Sequence, residues 1–174
     1  MKKVIILLTL ISAFIHGQSL KFDSGFIRAH TEVLGNRTID PTFHHATSKL
    51  TLQNSSLDSI KGTIEVSMKD FISDNKKRDA HMQSVLESSS FPKASYKITK
   101  VIFKEGIYTL KGILLLHGIS KPLSFDATVT KESKKIHIIA KSKINMSDFG
   151  IEPPKMFLLT VRDQVDLYVD ILLK

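Results

Sequence analysis

Apolar and polar residues alternate with a period of two along much of this chain, the pattern of strands with one face turned inward. The cleanest run sets Gly62, Ile64, Val66 and Met68 against Lys61, Thr63, Glu65, Ser67 and Lys69. Leu123, Phe125, Ala127 and Val129 alternate with Ser124, Asp126 and Thr128, and Ile136, Ile138, Ala140, Ser142 and Ile144 repeat the beat. Near the end, Val161, Val165, Leu167, Val169 and Ile171 keep it, with a break of phase at Asp163. Less regular strands are predicted over roughly 20–33, 46–53, 94–104 and 107–116, which makes about eight in all.

Turn residues separate the runs. Asn54-Ser55-Ser56 divides two strands, Glu105-Gly106 makes a tight hairpin, and Lys131 to Lys135 forms a polar connection. Links this short pair successive strands antiparallel, as a meander. One stretch has another period: within Asn75 to Ser90, Met82, Val85 and Leu86 fall at i, i+3 and i+4. Ser73, Asp74 or Asn75 can cap the first free amides, so a short helical insertion is predicted, ending before Phe91-Pro92. Asn145 to Thr160, with Gly150 and Pro153-Pro154, is predicted to be irregular.

About eight antiparallel strands in one domain can pack as two sheets or close into a barrel. Closure removes both sheet edges and leaves an interior able to hold one small ligand. The inner beat here is Ile, Val, Leu, Phe and Met with almost no charge, which suits a dry cavity and an apolar guest. The pattern favours the barrel.

Ahead of these strands, Met1-Lys2-Lys3 is followed by a nearly unbroken apolar run from Val4 to Ile15. At about a dozen residues it is shorter than the roughly 20 of a membrane-spanning helix, and Gly17, Gln18 and Ser19 follow. The expected organisation is a signal peptide over 1–17, cut near Gly17-Gln18, then one domain over 18–174 that is periplasmic or secreted. The chain has no cysteine. Disulfides, thiolate nucleophiles and zinc-thiolate sites are thereby excluded.

The formal charge of +8 falls to +6 when Lys2 and Lys3 leave with the leader. A nucleic-acid partner is not expected. Lys61, Lys69, Lys97, Lys111, Lys141 and Lys143 are scattered on the polar beat, and only Lys76-Lys77-Arg78 forms a run. Without tryptophan there is no aromatic platform among the basic residues. Weak association with an anionic membrane surface stays open.

Catalytic frameworks are missing too. There is no Gly-x-Ser-x-Gly and no Gly-rich phosphate loop, and Asp148-Phe149-Gly150 matches a kinase motif in letters without its domain. His44 and His45 are adjacent and would point to opposite faces of a strand, while His30, His81, His117 and His137 repeat no metal-site spacing. No metal, cofactor or enzymatic activity is expected. His117 reads as a hydrogen-bonded turn residue.

Four local sequences go beyond pattern. They are Arg78-Asp79-Ala80-His81-Met82 with Phe91-Pro92, Gly112 through His117-Gly118-Ile119-Ser120-Lys121-Pro122-Leu123, Asn145-Met146-Ser147-Asp148-Phe149-Gly150-Ile151, and Val161-Arg162-Asp163-Gln164-Val165. In order and spacing they resemble the YceI-like family of exported lipid-binding proteins, over about residues 20–174. The resemblance implies an eight-stranded antiparallel lipocalin-like β-barrel with a helical segment, holding a polyisoprenoid or quinone-like amphiphile. Met146-Ser147 stands where the family more often has Arg-Ser. On the residues themselves, Gly112 allows close backbone approach, Pro122 restarts a strand where no amide is needed, and Asp79 can cap or pair.

The functional expectation is non-enzymatic binding or transport of an isoprenoid or other apolar amphiphile, by a monomer or homodimer. Ile64, Val66, Met68, Leu114, Leu116, Phe125 and Phe149 are the candidate lining residues. The alternative is an exported interaction or stress module with a solid interior and no ligand.

Overall fold

The alternating runs become strands in the computed structural model, which describes residues 17–33, 37–156 and 159–174. The apolar run from Val4 to Ile15, on which the signal-peptide expectation rests, lies outside these residues. The strands are β1 (Gly17–Leu20), β2 (Phe22–Val33), β3 (Arg37–Ile39), β4 (Thr42–Phe43), β5 (Thr47–Gln53), β6 (Lys61–Ser67), β7 (Lys93–Lys104), β8 (Ile107–Leu116), β9 (Ile119–Glu132), β10 (Lys135–Asn145), β11 (Lys155–Met156), β12 (Leu159–Thr160) and β13 (Gln164–Leu173). Eight of them have seven residues or more, and these are the strands the alternation predicts; the other five are short additions.

One antiparallel sheet runs β1-β5-β6-β7-β8-β9-β10-β13-β2-β3, with β4 also on β2, while β11 and β12 pair separately. Its two ends are the same stretch of chain. Gly17 to Leu20 pair with β5, then Lys21 intervenes and β2 pairs with β13. Lys21 exchanges backbone hydrogen bonds of 2.8 and 2.9 Å with Lys174. Ser48 fastens the seam, its hydroxyl donating to Leu20 O at 2.8 Å and accepting from Phe22 N at 2.7 Å. The sheet therefore curls into a barrel. Further along, β4 lies beside β2, pairing with it on one side and with Ile72 on the other.

Sharp bends in the wall fall on glycine. Gly25 in β2 has φ +120°, and a Cβ there would lie 2.1 Å from Asp170 O. The hairpin turns take positive φ at Asn54-Ser55, Glu105-Gly106 and His117-Gly118, where the turn chemistry had placed them. Pro122 lies inside β9 rather than at its start. It pairs with Ile113 of β8, and β10 joins β9 only from Asp126 onward, so the missing amide costs no hydrogen bond.

The two ends of the barrel differ. At the seam end Leu20, Leu50, Ile60 and Leu173 have no exposed surface and pack with Ile98, Ile136, Ile138 and Ile171. Burial of each such side chain contributes roughly 1.5–3 kcal/mol relative to exposure. At the opposite end sits the helix α1 (Lys76–Val85). Asn75 is its cap, the side-chain oxygen accepting from Lys77 N at 3.0 Å and Arg78 N at 3.1 Å. Asp79 fixes the approach by accepting from Ser73 N and Oγ, and Gln83 donates to Met68 O and Lys69 O, mooring the helix beside β6. Asn75→Ala should destabilise the protein by about 1 kcal/mol. Faster hydrogen exchange at the Lys77 and Arg78 amides is the local readout.

Candidate functional site

Between the packed seam and α1 the barrel is hollow, with a cavity of about 850 Å³. Inward side chains of β2, β6, β7, β8, β10 and β13 form its wall, and Met82, Val85 and Leu86 cover it from the helical segment. Six of the candidate residues border it: Ile64 and Val66 of β6, Met68 just beyond, Leu114 and Leu116 of β8, and Phe125 of β9. The alternating beat carried them there, since cross-strand partners share a face.

Phe149 does not border the cavity. It ends a single 3₁₀ turn (Ser147–Phe149), is 2% exposed, and packs with Met146, Ile151, Val161 and Val165. Gly150, at φ +69°, turns the chain back immediately after it. A strand beat does not extend through such a turn, so the inward assignment by pattern fails here.

Tyr96 is a lining residue the sequence reading passed over, although Ala94, Tyr96 and Ile98 alternate with Ser95 and Lys97. Its ring occupies the space opened by Gly112, where a Cβ would come within 2.7 Å of it. The phenol oxygen lies 2.7 Å from Leu110 O and 3.0 Å from Leu123 O, so its one hydrogen is donated to these carbonyls. Burial pushes its pKa well above the ordinary range. This hydroxyl is a satisfied neutral donor, with no acid–base role at neutral pH. Thr31, also on the wall, gives its hydroxyl to the backbone of Arg162 and Gln164. With these two hydroxyls tied to backbone, neither presents a free polar group to the hollow. Tyr96→Phe should cost about 1–2 kcal/mol in urea unfolding, because buried carbonyls lose their donor.

The other motif residues brace one side of the cavity. His117 Nδ1 lies 3.0 Å from Phe149 O, as a donor to that carbonyl, and its ring packs on Phe91 at 4.3 Å between centroids. The Phe91 ring also fills the place of the Cβ that Gly118 lacks. Lys121 pairs with Asp148 at 2.9 Å and stands over the Phe149 ring, while Ser147 is bound through its amide and hydroxyl to Asp163. These contacts are architectural. His30 with Asp40 and His137 with Asp170, each 2.6 Å apart, are hydrogen-bonded pairs on partly exposed side chains. Among the described residues, no cluster of three or more His, Cys, Asp or Glu side chains could hold a metal ion.

Four carboxylates titrate below their ordinary range. Asp23 is held down by Lys174 and Lys135, and Asp148 by Lys121. Burial pulls Asp40 and Asp166 upward, but hydrogen bonds from His30 and Thr38 to the first, and from Arg162 and Gln164 to the second, outweigh it. A depressed folded pKa contributes stability above the unfolded value and loses it as pH falls through the folded one. Thermal stability should hold down to about pH 4 and then decline as these carboxylates protonate. A melting series from pH 7 to pH 2 measures it.

Comparison with known proteins agrees with this architecture. A family model described as the YceI-like domain matches residues 20–173. A UPF0312 protein of Pseudomonas putida (strain W619) is 28% identical over 130 residues, covering 70% of this chain and 68% of its own length. Another from Pseudomonas fluorescens (strain SBW25) is also 28% identical over 130 residues, with the same coverage of 70% and 68%. Among solved structures, Burkholderia cenocepacia BcnA superposes with a TM-score of 0.76 at 13% identity, over 87% of this chain and 98% of that one. A polyisoprenoid binding domain from Saccharophagus degradans, implicated in plant cell wall breakdown, gives 0.69 at 10% identity over 90% and 98%. These structural likenesses concern the fold. The family-model match spans almost every described strand, so the chain belongs to the YceI-like domain family.

Proposed function

We propose that this protein binds the long apolar chain of a polyisoprenoid or quinone-like lipid inside its barrel, as a non-enzymatic carrier or sequestering protein. The observation that carries this reading is the cavity of about 850 Å³ with its aliphatic and aromatic wall. A hollow of that size falls within the range of small-molecule sites, and one walled this way stays dry until a chain enters. Each methylene buried there contributes about 0.8 kcal/mol. That the Saccharophagus degradans domain of the same fold is a polyisoprenoid binding domain supports the choice of chain. A solid interior, which the interaction-module alternative requires, is at odds with this cavity.

We further place the protein outside the cytoplasm, periplasmic or secreted, on the strength of the basic start and apolar run of residues 1–15. Native mass spectrometry of the purified protein tests the carrier reading. A mass above that of the polypeptide, released by organic extraction as an isoprenoid, is the expected result. Empty protein in every preparation, with no thermal protection by added isoprenoids, would refute it.

A further inference from the structure

The charged residues that border the cavity are of one sign. Arg37 on β3, Lys77 and Arg78 on α1, and Lys155 on β11 all contribute, and no Asp or Glu does so among the described residues. These side chains come from three separate segments that the fold brings to the α1 end. Arg37, Lys77 and Lys155 are exposed, so they mark the rim rather than the wall. Arg78 is partly engaged, its guanidinium paired with Asp74 and its Nε donating to Ser73 Oγ at 3.1 Å. Asp74 is 88% exposed, and Asp79 is taken up by Ser73. Neither acid borders the cavity.

From this arrangement we infer that the bound amphiphile carries an anionic head group, of the phosphate or carboxylate class, held at the rim while its chain fills the hollow. The inference rests on the chain-binding reading above and adds the chemistry of the head. Cations gathered at one opening repel each other, and a neutral head would leave that repulsion in place. An anion relieves it, and guanidinium and ammonium donors form charge-assisted hydrogen bonds to its oxygens. Exposed charges act through water and salt, so the preference should be strong at low ionic strength and weaken as salt rises.

The test compares three ligands with one chain: farnesol, farnesoic acid and farnesyl monophosphate, with inorganic phosphate as a chainless control. Dissociation constants are measured by calorimetry at low and at physiological salt. The anionic ligands should bind at least about tenfold more tightly than farnesol at low salt, with the gap narrowing at higher salt. In an Arg37→Gln/Lys77→Gln/Lys155→Gln variant the ratio of affinities should fall toward one. Equal affinities for farnesol and the anionic ligands in the unaltered protein would overturn the inference and leave chain binding standing. Inorganic phosphate binding as tightly as the monophosphate would overturn it as well, since the site would then be one for a free anion. Failure of all three chain ligands would remove the chain-binding reading and this inference together.

Discussion

Val66→Asp should give a folded barrel that no longer takes up an apolar chain. Val66 is 9% exposed, faces the cavity from β6, and pairs across the sheet with Ala94. Its surroundings are Phe43, Met68, Phe71 and Ala94, none of which can pair with a carboxylate. An ionised group there demands water, which can enter because the site borders a hollow rather than a close-packed core. The barrel therefore survives, while the hydrated carboxylate occupies space a chain would fill. Displacing about four methylenes forfeits about 3 kcal/mol, more than 100-fold in affinity. Thr63→Asp is the control: Thr63 lies on the outward beat of the same strand, flanked in register by Lys49 and Lys97. It should bind normally. Circular dichroism establishes folding of both variants, and titration with a fluorescent fatty-chain probe reads uptake. Normal uptake by Val66→Asp would mean that the chain lies elsewhere.

The second large effect concerns stability. Gly25→Ala should lower the unfolding free energy by about 3 kcal/mol or more, since left-handed strain and a backbone clash add together. The new Cβ would fall 2.1 Å from Asp170 O and 2.7 Å from Ile171 Cα, both backbone atoms of the partner strand, with φ fixed at +120°. No rotamer change can relieve contacts of that kind. Urea titration should show an earlier midpoint. A midpoint within the error of the unaltered protein would mean that β2 can straighten at this position without losing its pairing to β13.

Much of the wall was legible in the residues because a strand buried on one face writes its orientation into every second position. Ile64, Val66 and Met68 show this, as do Phe125, Ala127 and Val129. The helix start was legible for another reason: Asn75 is one of few side chains that can accept from two free amides. Phe149 was misplaced because its three-residue turn has no period to read. The closing strand was blurred, since β2 bends at Gly25 and carries Phe26, Arg28 and His30 outward beside Ile27 and Ala29 inward. The rim was hidden by topology. Arg37, Lys77 and Lys155 are far apart in sequence, and Lys76-Lys77-Arg78, the one basic run, was the sole local hint that cations gather at an opening.

The seam at Lys21 and Lys174 also bears on how the molecule comes into being. β1 finds its neighbour among residues 47–53 and β2 finds short partners in β3 and β4, but the ring closes only when β2 pairs with Gln164–Leu173, far along the chain. Contacts of such high sequence separation form slowly. Ring closure is thus a late event of folding, and the lips of this seam should be the last part of the wall to gain protection from hydrogen exchange during refolding.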